Sequence, residues 1–180
     1  FLMDIAEDSS LAKEIAARVG EHITDVGVQS IRRWSLEDTG IWIYDDMAYN
    51  DGPLFSPKKF EEVFLPTYRK MITAYKNAGA RHVFLHSDGN ITPVLDMLLD
   101  AGIDGLHPLE RRAKMDPVTL RKQHPELVLA GGMCNSETLI NGSKEKIVSE
   151  TRELIELGRD GGMIIGTHSI SPEIPLENYL

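Results

Sequence analysis

The sequence predicts a parallel α/β fold of the (β/α)8-barrel (TIM-barrel) class, here a partial barrel of about five strand–helix units. Three observations carry that prediction. Short apolar runs alternate along the chain with stretches of helical periodicity. The runs are apolar at consecutive positions rather than at every second one, as strands covered on both faces require. Polar and glycine-rich clusters follow directly after the runs, at Asp45-Asp46, His86 to Asn90, His107-Pro108, Gly131 to Asn135 and Thr167-His168. In a β/α barrel these positions share one rim, where functional groups collect. An open sheet would gather them at one crevice instead, and neither G-x-G-x-x-G nor a P-loop is present.

The elements follow in order. From Ser10 to about Trp34, Leu11, Ile15, Val19, Ile23 and Val26 recur at helical spacing. Gly40–Tyr44 is a short apolar strand, and residues 46–56, rich in Gly, Pro, Asn and Asp, are a loop. Ser56-Pro57 opens a helix with a capping hydroxyl and a proline at the first helical position. It should run to Ala78, with a break or kink at Pro66 and Gly79 ending it. Arg81–Leu85 is the second strand, residues 91–101 a helix, and Ile103–Leu106 the third strand, with a loop beginning at His107-Pro108. Asp116-Pro117 opens a helix through Gln123, Leu127–Ala130 is the fourth strand, Ser143 caps a helix to Leu157, and Gly162–Gly166 is the fifth strand. Five strands do not close an eight-strand barrel, which takes about 250 residues. The expectation is a single domain over residues 1–180, the C-terminal part of a larger barrel.

Composition narrows the partners. Nineteen Lys and Arg against 28 Asp and Glu leave a formal net charge of −9. That argues against a nucleic-acid or anionic-membrane surface, which needs clustered cations. No apolar run approaches the roughly 20 residues of a membrane span. Cys134 is the only cysteine, so no internal disulfide forms, and a reducing, cytoplasmic setting is the default expectation.

The strongest chemical signal is His86-x-Asp88 at a strand end. Residues i and i+2 on extended backbone point to one side, so an imidazole and a carboxylate converge. His168 ends another strand and would face them across the rim. Two histidines and a carboxylate suit Zn²⁺ with an open position, or Fe²⁺ or Mn²⁺. Sharing one ion requires the three side chains within about 8 Å, given metal–ligand bonds of about 2.0–2.2 Å. Asn90 would join this group, and Glu110 lies after the third strand near His107, where a solvated loop is the alternative. Asp45 and Asp46 are candidates for positioning substrate or acting as general base. Since neighbours on a strand alternate faces, only one should point to the barrel axis. Tyr49, in the same loop, would donate to a substrate oxyanion. Cys134 is either a soft metal ligand or a small buried apolar residue. His22, His82 and His124 read as structural or surface groups.

An ordered set of segments resembles the uroporphyrinogen decarboxylase/corrinoid methyltransferase superfamily. It comprises Ile43-Tyr-Asp-Asp-Met47, Gly52-Pro-Leu-Phe-Ser-Pro57, Phe64-Leu-Pro-Thr-Tyr68, His86-Ser-Asp-Gly-Asn90 and Ile103-Asp-Gly-Leu-His-Pro108. Met115-Asp-Pro117, Gly131-Gly-Met133, Gly166-Thr-His-Ser-Ile-Ser-Pro172 and Ile174-Pro-Leu-Glu-Asn178 continue it. The resemblance implies that the chain is the C-terminal portion of such a barrel. It implies either metal-assisted methyl transfer of the corrinoid-dependent type or decarboxylation of uroporphyrinogen in tetrapyrrole biosynthesis. A non-catalytic module that binds a corrinoid protein is the third expectation. Methyltransferases of this kind carry H-x-C-G and a second cysteine near the C-terminal motif; Asp88 and His168 stand at those two positions here. The implied ligand set is therefore His86, Asp88 and His168, harder than the thiolate pattern, with Asn90 and Glu110 near a bound cofactor. Decarboxylases carry a histidine matching His168 but no H-S-D-G-N segment. Implied partners are a small-molecule methyl donor or acceptor, or a tetrapyrrole, a corrinoid on a partner protein, and further copies of the chain in an oligomer.

Overall fold

The structure, a computed structural model, describes all 180 residues. A short helix α1 (Leu2–Glu7) leads into α2 (Ser9–Arg33). Asp8 caps α2, its carboxylate accepting from the N–H groups of Ser10 and Leu11. After β1 (Gly40–Tyr44), the segment expected as loop holds a small antiparallel ladder of β2 (Ala48–Tyr49) and β3 (Gly52–Pro53). Ser56 caps α3 (Pro57–Lys59) as its sequence indicates, accepting from Lys59 N–H.

The chain does not break at Pro66. It passes through one π-helical turn (Phe60–Phe64) into α4 (Leu65–Asn77). Proline offers no N–H, and the wider turn just before it lets Leu65 N–H reach the Phe60 carbonyl, five residues back. Next come β4 (His82–His86), α5 (Thr92–Ala101), β5 (Gly105–His107) and a 3₁₀ turn at Arg111–Ala113. Asp116 caps α6 (Pro117–Gln123), β6 (Val128–Met133) follows, and a second π-helical turn spans Asn135–Ile140. Ser143 caps α7 (Lys144–Leu157), then β7 (Met163–Thr167) and α8 (Leu176–Tyr179) complete the chain. β6 runs through Gly131-Gly132 to Met133, past the expected end at Ala130, because its glycines still pair in register with Ile165 and Gly166 of β7.

The long strands form one five-stranded sheet in the order β1-β4-β5-β6-β7, with every neighbour parallel. This is the expected α/β architecture of successive strand–helix units. Its core lies between the sheet and the helices. Ile43, Val83, Leu85, Leu106 and Leu129 face that way, against Tyr68, Met71 and Ile72 of α4 and Val94, Leu95 and Leu98 of α5. The other face carries aromatic rings and histidines. Trp42 stacks on Phe84 with centroids 5.0 Å apart, and Tyr44 tilts over His86 at 4.9 Å. Gly105 makes room for the Phe84 ring, since a Cβ there would lie 2.9 Å from Phe84 Cζ.

α2 confirms the helical spacing but buries a different stripe. Ala12, Gly20, Gly27 and Ile31 are buried, whereas Leu11, Val19, Ile23 and Val26 remain exposed. The small residues let α2 approach α4 closely. No helix of the chain is long and apolar enough to cross a membrane.

Candidate metal centre

Parallel register brings the strand ends to one rim. Tyr44 pairs with His86, His86 with His107, and Met133 with Thr167, the residue before His168. Main-chain bonds continue the ladder past the strands: Asp45 N–H donates to the His86 carbonyl at 3.0 Å, and Ser87 N–H to that of His107 at 2.9 Å. The loop after β4 is then pinned from outside. Asp88 N–H donates to Asp46 Oδ1 at 2.9 Å, Gly89 N–H to Glu110 Oε2 at 2.8 Å, and Asn90 N–H to the Tyr49 carbonyl at 2.8 Å. Gly89 has φ of +79°, and a Cβ there would sit 2.5 Å from the Ala48 carbonyl oxygen, so the loop needs glycine at this point.

His86, Asp88 and His168 each turn one ligand atom into a common space, all within 4.8 Å of one another. His168 Nε2 lies 3.0 Å from Asp88 Oδ2, and His86 Nε2 lies 3.8 Å from Asp88 Oδ1. That is well inside the separation a shared ion requires. Asp88 Oδ1 is buried and has no hydrogen-bond partner. A buried carboxylate oxygen without a donor is costly, and a cation held between it and the two imidazoles would satisfy it. Burial raises the Asp88 pKa, with Asp46 and Glu110 adding to the rise and His168 and His86 opposing it. Two imidazoles and one carboxylate match a zinc site that keeps its fourth position open.

Of the adjacent aspartates, only Asp46 reaches this group, with Oδ1 3.7 Å from His86 Nε2. Asp45 points to the helix side, where it accepts a 2.6 Å hydrogen bond from Tyr68. Glu110 reaches the group's loop through Gly89 rather than the ligands themselves. Asn90 is buried, and its Oδ1 accepts from both the N–H and the hydroxyl of Thr92 at the start of α5. The Tyr49 side chain is largely exposed and joins the rim only through its carbonyl. Cys134 lies outside the ligand group; its Sγ accepts from Glu137 N–H at the start of the second π turn. A cavity of about 80 Å³ adjoins His168, with Glu110, Arg111, Arg112, Cys134 and Asn135 in its wall.

Sequence reasoning put His107 on the rim but missed its pairing with His86. Its Nδ1 lies 2.7 Å from His86 Nδ1, and Trp42 meets its ring edge-on at 5.4 Å. Burial, followed by the neighbouring His86, lowers its pKa. The signal was available: extending the third strand one residue past Leu106 puts His107 level with His86. Tyr68 was also missed, and nothing in its local pattern marks it as the partner of Asp45.

Comparison with known proteins supports the same architecture. The model of the family described as Uroporphyrinogen decarboxylase (URO-D) matches residues 7–180. Among solved structures, a methyltransferase from Methanosarcina mazei superposes with a TM-score of 0.72 at 23% identity. That match covers 98% of this chain and 50% of the methyltransferase, so the chain spans half the length of that structure. No curated protein matches.

Proposed function

The chain belongs to the uroporphyrinogen decarboxylase family, and on that premise we propose that it carries the metal-binding rim of a methyltransferase of the corrinoid-dependent type. The observation that supports this most is the convergence of His86, Asp88 and His168 around the unpartnered Asp88 Oδ1. These three residues would hold Zn²⁺. When bound, the ion supplies Lewis acidity that makes a methyl acceptor more nucleophilic at neutral pH.

The remaining work falls to the protein's own side chains. Asp46, beside His86, takes the proton that the acceptor gives up. Glu110 holds the Asp88 loop through Gly89, which keeps the carboxylate oriented. The cavity beside His168 admits only the reacting end of a small substrate. A corrinoid carried on a partner protein is the methyl source in this reading, and a cytoplasmic setting belongs to the same proposal.

Metal analysis of the purified protein tests it. We expect about one zinc per chain, lost in the double variant His86→Ala/His168→Ala. Metal content unchanged by the double substitution would sink the proposal. With zinc in place, demethylation of methylcobalamin, followed by the visible absorbance of the corrinoid, is the expected activity. One observation favours a second reading. Arg112 stands in the same cavity wall as His168, its only ion pair a 3.8 Å one to Glu137, where it would meet a carboxylate of an acidic tetrapyrrole; Arg111 beside it is already held by Asp116, Glu150 and Glu153. Loss of carboxyl groups from uroporphyrinogen, with no zinc retained, would select decarboxylation instead.

A further inference from the structure

The rim holds a third imidazole, which the ligand set does not use. His107 is the last residue of β5, in register with His86, and the two Nδ1 atoms are 2.7 Å apart. One of them must donate and the other accept, because a neutral imidazole carries a single N–H. His86 presents its Nε2 to Asp46 and Asp88, at 3.7 and 3.8 Å. Ligation through that nitrogen leaves the proton of His86 on Nδ1, aimed at His107. Histidine ligands commonly donate their second ring nitrogen to a neighbouring acceptor, which fixes the tautomer and the ring orientation.

We propose that His107 is the positioning residue of the metal centre: its Nδ1 accepts the Nδ1–H of His86 and locks the His86 Nε2 lone pair toward Asp88 and His168. His107 then carries its own proton on Nε2. The Thr167 backbone, one residue before the third ligand, lies beside the His107 ring. The His86–His107 pair thus stands beside the segment that carries His168. Two aromatic rings hold it in plane: Tyr44 covers His86 at 4.9 Å, and Trp42 abuts His107 at 5.4 Å. His86 and His107 lie 4.9 Å apart by ring centroids with a tilt of 31°. A histidine kept only for packing would not need its nitrogen to face that of His86 at 2.7 Å.

This inference rests on the zinc reading above, and one experiment separates the two. Zinc affinity is measured by competition with a chromophoric chelator for the wild type and the variants His107→Phe and His107→Asn. Phenylalanine fills the space with no acceptor, whereas the Asn side-chain oxygen falls near the Nδ1 position. Expected is a roughly 10–100-fold weaker zinc affinity for His107→Phe, largely recovered by His107→Asn. In the zinc-loaded wild type, nitrogen NMR should show His86 with a protonated Nδ1 and a scalar coupling across the hydrogen bond to His107 Nδ1. That readout decides the matter even where His107→Phe fails to fold. Wild-type affinity in His107→Phe, or a deprotonated His86 Nδ1 in the zinc form, overturns the role of His107 while leaving the zinc site standing. Absence of zinc uptake by the wild type overturns both.

Discussion

Asp45 and Asp46 are neighbours in the chain but reach opposite sides of the sheet. Asp46 joins the rim beside His86, and Asp45 turns to the helix side against Tyr68. Burial raises the Asp45 pKa above 3.8, the Tyr68 hydrogen bond pulls it back, and Asp46 pushes it up again. The folded state therefore binds the Asp45 proton more tightly than the unfolded chain does. The stability this contributes is full below the unfolded value near 3.8 and is lost as pH rises through the higher folded value. Asn at this position keeps an acceptor for the Tyr68 hydroxyl and never ionises. Asp45→Asn should accordingly melt at a higher temperature than wild type at neutral pH, with the gap closing as pH falls toward 4. A gap that persists unchanged at low pH would show that ionisation is not its origin. Strand alternation made the division between the two aspartates legible in advance, though not which of them faced the rim. His86, Asp88 and His168 were legible because strand ends announce a barrel rim. The pairing of His107 with His86 went unread, because the proline after His107 reads as the start of a loop and stops the expected strand at Leu106.

At the scale of elements, the contact between α2 and α4 rests on glycines. A Cβ at Gly27 would lie 2.7 Å from Cζ of Tyr75, whose ring is buried and whose hydroxyl donates to the Ile23 carbonyl at 3.1 Å. Two effects compete on replacing Gly27 by Ala. Helix propensity favours Ala by about 1 kcal/mol. Forcing a methyl into a packed ring costs about 1–3 kcal/mol. The ring cannot swing away without giving up its hydrogen bond, so the packing cost should win. Gly27→Ala is expected to lower the urea unfolding free energy by about 1 kcal/mol, and a stabilised variant would contradict the close approach. The same glycines explain why the apolar spacing of α2 was a sound guide to helix but not to burial. A close helix crossing selects small residues, so the buried stripe is nearly invisible to a hydrophobicity pattern. Caps were readable at Ser56, Asp116 and Ser143, where a polar side chain precedes a helix start. The π-helical turns at 60–64 and 135–140 were not, since a shift of one residue in hydrogen bonding leaves little trace in side-chain order.

Over the whole molecule, the sheet has two free edges. A closed barrel of this class has eight strands, and here β1 and β7 border five. Their side chains match that position: Tyr44 is 72% exposed on β1, and Ile164 is 54% exposed on β7. The outer stripe of α2 adds Val19, Ile23 and Val26, and a cleft of about 410 Å³ runs between that helix and β1, walled by Ile15, Val19, Ile23, Trp42 and Tyr44. Strand edges with unpaired backbone groups and contiguous apolar surface both favour association. The net charge of −9 opposes it through repulsion between copies, and salt weakens that repulsion. The 180-residue chain should therefore self-associate in a concentration-dependent way, more strongly as salt is raised, and bind a hydrophobic dye along the cleft. Glutamate at Val19 and Val26 should weaken both behaviours without lowering the melting temperature, because both side chains are already more than half exposed. Sedimentation velocity across a range of protein and salt concentrations measures the effect. A single monomeric species throughout, with no dye uptake, would mean that the exposed stripe and the open edges are not attractive surfaces in solution.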